Sequence, residues 1–334
     1  MLCSFIIPAY NASNTIVRCL DSIYTLGLSE QEFEVICIDD CSKDNTISVI
    51  EQYAKQHTNL TLLYQPENHR QGAARNRGVA IAKGKYIVYI DSDDESDKGV
   101  VQALQLAEEH NLDIVAMHYI NVDENGNVRE KEFIKLDSIF TGVYLQTQQP
   151  YWCTGPVPYI YNWEFLKRVN YPFIEDVLFE DSDYVNVHLY HAKRMMYSTA
   201  IGYKIHYNSQ STTHTTSYKH VADYLLLGTR ILKLYHSMEY KNSKYALTIL
   251  EGGSYNIWMS CKRLMKLSSI ADVRAFYDRI DTYINRADYV HYIEPAYCWT
   301  WWTMLCLKHK RIAIFIIALG QLFYKIKREC CKKG

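Results

Sequence analysis

The sequence predicts an α/β fold, with a mainly parallel sheet flanked by helices and a helical region after it. Between residues 1 and 115, short apolar runs alternate with segments of helical periodicity. Two of these runs end abruptly in aspartates, at Asp39-Asp40 and at Asp91-Ser92-Asp93. Such alternation is typical of parallel strands joined by helices, and polar residues at strand ends are typical of the ligand-binding edge of such sheets.

The elements follow in order along this first part. Strands are predicted at Leu2–Ile7, Phe33–Ile38, Leu60–Tyr64, Tyr86–Ile90 and Asp113–Met117. Helices are predicted after Ser13 with Gly27 past the end, after Asp44 or Asn45, over Gly72–Lys83 with Gly84 as the stop, and over Val100–His110.

The pattern then changes. Tyr119–Val122 and Val128–Phe133 flank an Asn125-Gly126 turn and predict a hairpin. A loop is predicted over 150–158, helices over Trp163–Val169 and Asp181–Ala192, and a strand over Met195–Ile205. Residues 220–286 read as helical, with Gly252-Gly253 as the expected break.

Charge is unevenly distributed over the 334 residues. The whole chain has 36 basic and 37 acidic residues, but residues 308–334 hold eight Lys or Arg against one Glu. The net charge of −1 indicates no particular partner, and no nucleic-acid partner is expected. A basic tail on an acidic body predicts an anionic surface as partner.

Residues 295–334 form a distinct tail. Its two apolar segments, of about 13 residues each, would be roughly 20 Å long as helices, too short to cross a bilayer. Trp299, Trp301, Trp302 and the flanking Lys and Arg favour helices lying on an anionic membrane surface. The alternative is a helix pair packed on the body of the protein or in a dimer contact.

The ten cysteines show no C-x-x-C pair and no zinc spacing, and Cys3, Cys19, Cys37 and Cys41 fall in apparent core elements. A reducing, cytoplasmic environment is expected. The chain also opens directly on an apolar strand pattern, without the features of a signal peptide.

Asp91, Ser92 and Asp93 follow the apolar strand Tyr86–Ile90. Carboxylates this close repel one another unless a divalent cation bridges them, and hard oxygen ligands suit Mg²⁺ or Mn²⁺. The alternative is an acidic turn that solvates the strand end.

Four segments together resemble one family. They are Ser4–Asn11, Glu34–Thr46, Glu67–Gly78 continuing to Asp91-Ser92-Asp93, and Phe179–Tyr184. Their order and spacing resemble the inverting family-2 glycosyltransferases with the GT-A fold, of the bacterial surface-polysaccharide type. The resemblance covers roughly residues 3–215.

The resemblance implies a donor site for a UDP-sugar and a bound Mn²⁺ or Mg²⁺. The donor-binding residues it implies are Pro8, Ala9, Tyr10, Asn11, Asp39, Asp40, Gly72, Arg75, Asp91, Ser92 and Asp93. Asp40 would contact the uracil ring, with helix or turn capping as the alternative. Arg75 would reach the nucleotide or its diphosphate, with a solvated helix charge as the alternative. Asp93 would hold the metal, with Asp91 on the metal or the ribose side. His214, or else His206, would be a third metal or phosphate contact, with an ordinary surface or core histidine as the alternative.

The resemblance also assigns the acceptor side. Asp181 is expected to be the general base, ionised by its place at a helix start, and Glu180 to orient it or bind acceptor. Simple N-capping is the alternative. Trp152, Tyr159, Asn162 and Trp163, with Tyr161, are expected to line the acceptor.

The expected function is metal-dependent hexosyl or N-acetylhexosaminyl transfer from a UDP-sugar to a hydroxyl of a glycan or lipid-linked oligosaccharide. The enzyme is expected on the inner face of the plasma membrane. The expected domains are 1–218, with a donor half 1–115 and an acceptor half 116–218, then a helical extension 219–294 and the tail 295–334. Alternatives are a non-catalytic sugar-nucleotide or glycan-binding protein, or a nucleotidyltransferase, although 8–15 lacks the Gly-rich basic loop that the latter needs.

Overall fold

The computed structural model describes residues 1–130, 138–149, 155–208, 217–239, 241, 243–264, 269–283, 309 and 311–318. The chain divides into two compact units, Met1–Ser209 and Gln210–Gly334. The first is a mixed α/β unit, which confirms the predicted fold class, and the described elements of the second are helices.

A nine-stranded sheet forms the centre of the first unit. The strands are β1 Cys3–Ala9, β2 Phe33–Asp39, β3 Leu60–Tyr64, β4 Tyr86–Tyr89, β5 Glu95–Ser96, β6 Ile114–Val122, β7 Val128–Glu130, β8 Tyr159–Asn162 and β9 Met195–His206. Their order is β3-β2-β1-β4-β8-β6-β9-β5, with β7 paired to β6. The first four are parallel, β8 runs antiparallel between β4 and β6, and β9 is parallel to β6.

Seven helices accompany the described part of this sheet. They are α1 Ile16–Tyr24, α2 Thr46–Ala54, α3 Arg70–Ile81, α4 Gly99–His110, α5 Gly142–Gln148, α6 Trp163–Val169 and α7 Glu180–His191. In α1 the apolar face anticipated from the sequence, Ile16, Cys19, Leu20 and Ile23, is fully buried. The N-cap residue Thr15 makes no side-chain capping hydrogen bond. The helix therefore depends for its stability mainly on burial of this face.

Two strands differ from the prediction. The runs Asp113–Met117 and Tyr119–Val122 belong to the single strand β6, because His118 continues the pairing with β9 through two register shifts. Strand β8 was not predicted, since it has four residues and follows a Pro-rich segment of which 150–154 lie outside the described residues.

Cysteine burial follows the sequence expectation at three of four positions. Cys3, Cys19 and Cys37 are fully buried, and burial raises the pKa of the Cys37 thiol to about 12. Cys41 is a correction: it lies half-buried in the turn after β2, with φ at +64°, because the strand ends at Asp39.

The second unit contains α8 Tyr218–Ser237, α9 Lys244–Leu264, α10 Ile270–Tyr283 and α11 at 311–318. The expected break at Gly252-Gly253 is wrong, since both residues lie inside α9. A Cβ on Gly253 would come within 2.7 Å of Leu232, and one on Gly228 within 2.8 Å of the Gly253 carbonyl oxygen. The glycines therefore allow α8 and α9 to cross closely, and the chain turns between Ser237 and Lys244 instead.

Helix α11 lies in the tail, most of which is outside the described residues. Ala313 and Ile317 are buried in the core cluster of α8, α9 and α10, whereas Ile312 and Phe315 are 50% and 63% exposed. Among the described residues, no helix has the length and hydropathy needed to span a bilayer.

Candidate active site

The carboxyl ends of β1, β2 and β4 lie side by side at one edge of the sheet. Ala9 is in register with Asp39, and the Ile90 amide donates to the Ile6 carbonyl at 3.1 Å. This parallel pairing brings 8–11, 39–40 and 91–93 together, as the sequence predicted for the donor site.

The loops after β1 and β2 are tied to each other. The Asn11 amide donates to Ser42 Oγ at 2.9 Å, and the Lys43 amide donates to Asn11 Oδ1 at 2.8 Å. Asn11 has φ at +51°, a conformation that Asn tolerates. Pro8 and Ala9 are buried, whereas the Tyr10 ring is 46% exposed and faces solvent at this edge.

Asp39 and Asp40 are both buried but differ in their partners. Asp40 Oδ1 accepts from the His69 amide at 2.8 Å and from Gln65 Nε2 at 2.7 Å, so Asp40 fixes the start of α3. Asp39 Oδ2 accepts from the Ser42 amide at 3.0 Å, while Asp39 Oδ1 has no hydrogen-bond partner among the described residues. Both carboxylates thus have structural partners beside any contact with donor.

The turn after β4 is anchored to β9. Tyr203 OH accepts from the Asp91 amide at 3.1 Å and donates to Asp94 Oδ2 at 2.8 Å. Asp94 Oδ1 also accepts from the His206 amide at 2.8 Å. Asp94 is therefore buried and links this turn to β9. Asp91, Ser92 and Asp93 are only partly buried.

Asp93 is held from the end of β9. Its Oδ2 accepts from Asn208 Nδ2 at 2.7 Å, and its backbone carbonyl accepts from the Arg18 guanidinium. Burial and the nearby charge of Asp91 raise the pKa of Asp93. A cation placed against the pair would remove this repulsion.

The residues present fit a divalent cation that binds together with substrate. Among the described residues, no group of three or more His, Cys, Asp or Glu side chains converges to hold a metal ion. Asp91 and Asp93 supply two carboxylates, which is the number that Mg²⁺ often takes from protein when substrate phosphates and water complete its shell. His214 lies outside the described residues, and His206 Nε2 lies 3.0 Å from Glu95 Oε1.

Arg75 joins the donor edge to the start of α7. Its side chain is 2% exposed, with Nη2 at 2.8 Å from Asp91 Oδ1 and Nη1 at 2.5 Å from Glu180 Oε1. Its terminal nitrogens thus donate to protein carboxylates, and its donor contact remains a prediction.

Gly72 lies one turn before Arg75 on α3. A Cβ at Gly72 would lie 2.5 Å from the Ile174 carbonyl oxygen and 3.0 Å from Cγ of Glu180. The absence of a side chain at Gly72 therefore lets α3 approach the segment that precedes α7. Donor binding by Gly72 likewise remains a prediction.

Helix α7 begins with an unusual backbone. Its N-cap residue, Phe179, has φ at +64° and no side-chain capping bond, and the first turn holds Glu180, Asp181 and Asp183. Asp183 accepts from Tyr171 OH at 2.9 Å. Phe179 occupies the N-cap position, so Asp181 is not the N-cap residue of α7.

The helix start is expected to keep Asp181 ionised, but burial acts on its pKa in the opposite direction. Burial, with the neighbouring charge of Glu180, raises the pKa of Asp181 to about 7, although Arg75 and the Ser182 amide act in the opposite direction. A carboxyl group with a pKa near neutrality can exchange protons at physiological pH.

The predicted acceptor residues that the structure describes have other surroundings. Tyr159 and Tyr161 are each 1% exposed in the core, and Asn162 caps α6 through its Oδ1. Asn162 pairs with Tyr86, at the end of β4 opposite Asp91, and Trp163 follows it. Trp152 lies outside the described residues.

Sequence reasoning missed three residues that shape the site: Arg18, Tyr203 and Asn208. Their contacts reach across the fold, from α1 to the 91–95 turn and from β9 to the same turn. A single sequence contains no signal for these pairs, although Asn208 lies two residues past the candidate His206.

Comparison with known families identifies the domain. Residues 4–166 match the sequence model of "Glycosyl transferase family 2". Residues 4–166 are therefore a family-2 glycosyltransferase domain. The family-2 match includes β1 from Ser4 onward, β2, α3 and the 91–93 turn, and it ends before the Glu180-Asp181 pair.

The chain that contains this domain is similar to a bacterial glycosyltransferase. It is 39% identical over 95 residues to a poly(ribitol-phosphate) beta-glucosyltransferase of Bacillus spizizenii, which is 28% of this chain and 15% of that protein. The chain therefore matches only a small part of that relative's length.

Two solved structures share the fold. The structure of Staphylococcus aureus TarS 1–349 in complex with UDP-GlcNAc has a TM-score of 0.64 at 19% identity, covering 98% of this chain and 92% of that one. The mannosyltransferase PcManGT of Pyrobaculum calidifontis, in complex with GDP-Man and Mn²⁺, has a TM-score of 0.52 at 16% identity, covering 97% and 87%. These similarities confirm the GT-A architecture.

Proposed function

We propose that this glycosyltransferase moves a hexosyl or N-acetylhexosaminyl group from a UDP-sugar to a hydroxyl of a glycan or lipid-linked oligosaccharide, with inversion at the anomeric carbon. The observation that supports it best is the ion pairing of one buried side chain, Arg75, with both Asp91 and Glu180. Arg75 therefore links a proposed donor-side carboxylate to the Glu-Asp pair of α7.

Asp181 is the proposed general base. Inversion needs one displacement, in which the acceptor oxygen attacks the anomeric carbon as the bond to the UDP oxygen breaks. The acceptor hydroxyl gives its proton to Asp181, and the electron pair of the broken bond leaves with UDP. A carboxyl group whose pKa lies at about 7 is suited to accept that proton near neutral pH.

Asp91 and Asp93 are the proposed holders of Mn²⁺ or Mg²⁺, with Asn208 orienting Asp93 at 2.7 Å. The cation, when bound, supplies a Lewis acid for the charge that develops on the diphosphate. Asp39, Asp40 and the exposed Tyr10 ring are the proposed contacts of the nucleoside, at the shared edge of β1 and β2.

The identity of the donor and acceptor is supported by similarity. A TarS structure that shares the fold contains UDP-GlcNAc, and the Bacillus relative is named for poly(ribitol-phosphate) glucosylation. We therefore place this chain in surface-polysaccharide synthesis. The alternative is a non-catalytic sugar-nucleotide or glycan-binding protein.

Membrane association is proposed for the tail 295–334, on the inner face of the plasma membrane. Helix α11 supports it, because Ile312 and Phe315 project into solvent while Ala313 and Ile317 anchor the helix in its own unit. The exposed Arg311 precedes them and would favour anionic lipid. The proposed domains are 1–218 for transfer, 219–294 as the helical extension and 295–334 as this tail.

A panel assay tests the proposal. The purified 334-residue chain is incubated with individual UDP- and GDP-sugars, with Mn²⁺, Mg²⁺ or EDTA, and with or without polyprenyl-linked acceptors, and released nucleotide is measured. We expect metal-dependent release of UDP, stimulated by acceptor and lost in Asp181→Asn. Tight UDP-sugar binding without any release would instead favour the non-catalytic alternative.

A further inference from the structure

Helix α3 is hydrogen-bonded to the segment 173–179, which leads into α7. Asn76 Nδ2 donates to the Phe173 carbonyl at 2.9 Å, and the Phe173 amide donates to Asn76 Oδ1 at 3.0 Å. The side-chain amide thus satisfies both backbone groups of one residue. Asn76 Nδ2 also lies 3.0 Å from Glu175 Oε1.

Phe173 in turn packs against α7. Its ring is 3% exposed and stacks on Tyr184, with ring centroids 3.7 Å apart and an interplanar angle of 6°. Tyr184 lies three residues after Asp181, on the same face of the helix and one turn further along. A fixed Phe173 therefore fixes the first turn of α7, which carries Asp181.

A second contact lies nearer the donor edge. The Asp176 amide donates to the His69 carbonyl at 3.1 Å, and His69 Nδ1 lies 2.9 Å from Asp176 Oδ1. The His69 amide in turn donates to Asp40. His69 thus lies between a predicted nucleoside-binding carboxylate and the segment before α7.

The backbone of the segment 173–179 depends on contacts with other parts of the fold. Asp176 and Phe179 both have φ near +60°, at 59° and 64°, a conformation that is unfavourable for residues with a side chain. Such backbone persists only where surrounding contacts determine it. Asn76 of α3 and His69, its N-cap residue, provide such contacts. Gly72, where α3 approaches the segment closely, lies between them in the sequence.

We propose that Asn76 is a positioning residue for the catalytic base: it holds Phe173, and through the Phe173–Tyr184 stack it sets the place of Asp181 in the cleft. This inference rests on the proposed function. The side-chain hydrogen bonds of Asn76 go to Phe173 and Glu175, which are not among the proposed donor residues. Its loss is therefore expected to lower kcat and to leave nucleotide binding unchanged.

The test compares Asn76→Ala with Arg77→Ala in the full chain. Arg77 is the next residue of α3, is exposed and donates to the Tyr64 carbonyl at 2.8 Å, away from the segment. For Asn76→Ala we expect kcat to fall about 10- to 100-fold, the range of a base displaced by a fraction of an ångström to an ångström. The dissociation constant of UDP is expected to stay within about twofold, and Arg77→Ala to behave as wild type.

Amide hydrogen exchange provides a readout that needs no turnover. We expect faster deuterium uptake over 171–185 in Asn76→Ala but not in Arg77→Ala. If the wild-type chain transfers no sugar, the proposed function fails, and the exchange data alone decide whether Asn76 holds this segment.

Two results would overturn the role of Asn76. One is a kcat within about twofold of wild type, and the other is a loss of UDP affinity as large as the loss of kcat. Should Asn76→Ala fail to fold, Phe173→Leu tests the same path, because it keeps an apolar side chain but removes the stack on Tyr184. The same split between kcat and UDP binding is then expected, and its absence would refute the proposal.

Discussion

Glu180 and Asp91 lie on opposite sides of one buried guanidinium, that of Arg75. Asp91 follows a central strand, and Glu180 begins a helix far along the chain. Because the Arg75 side chain is 2% exposed, water screens this pairing little.

Replacement of Arg75 tests the pairing itself. Arg75→Met leaves the buried Glu180 carboxylate without its cation, and loss of one partner of a buried pair costs about 3–5 kcal/mol of the free energy of unfolding. Denaturant unfolding of Arg75→Met and of the exposed control Arg77→Met would measure it. A loss in Arg75→Met no larger than in the control, which is expected within about 0.5 kcal/mol, would contradict the burial of this pair.

The pH dependence of transfer tests Asp181. Since burial raises its pKa to about 7, the base is protonated and inactive at lower pH, and kcat should rise with pH up to and through about 7. In Glu180→Gln the neighbouring negative charge is gone, so the pKa of Asp181 falls and the acidic limb of the profile moves to lower pH. A limb that stays in place or moves upward would show that another group controls it.

Gly72 separates a packing role from a donor-binding role. In Gly72→Ala the new Cβ would lie 2.5 Å from the Ile174 carbonyl oxygen, so the segment before α7 must shift and kcat should fall about 10- to 100-fold. Gly78→Ala is the matched control on the same helix, because its Cβ would meet the Ile6 and Ile38 side chains in the core. Gly78→Ala should lose stability and keep kcat, whereas weaker UDP binding in Gly72→Ala would favour direct donor contact.

Metal dependence is tested at Asp93. Titration of UDP into Asp93→Ala, with Mn²⁺ and with EDTA, should show the same affinity in both, because the carboxylate that would hold the cation is absent. Wild type should bind UDP more tightly with Mn²⁺. Asp97→Asn is the control, since Asp97 pairs with Lys204 at 2.7 Å and should leave the metal response intact. A preserved metal response in Asp93→Ala would remove Asp93 from the proposed site.

The tail is tested at two neighbouring positions of α11. Phe315→Ser changes a side chain that is 63% exposed, and sedimentation with anionic vesicles should show less bound protein with an unchanged melting temperature. Ile317→Ser changes a side chain that is 2% exposed and should lower the melting temperature. Equal vesicle binding by Phe315→Ser and wild type would favour a tail that only packs on its own unit.

Local pattern was a good guide where one face of an element is buried. The apolar spacing of α1 and the apolar runs of β1, β2 and β4 each correspond to the element that forms. The pattern failed at β8 and at Gly252-Gly253. A four-residue strand has too few positions to show a period, and the effect of a glycine depends on which helix approaches it.

The sequence alone determined which residues could carry the chemistry: carboxylates at the ends of β2 and β4, an arginine among small residues on α3, and an acidic pair at the start of α7. The tertiary structure alone decided their partners. Asp40 accepts a hydrogen bond at the start of α3, Arg75 pairs with Asp91 and Glu180, and Tyr161 is buried in the core. The physical reason is that a residue's type and spacing set what its side chain can bind, whereas the burial and charges that select its partner come from segments distant in the chain.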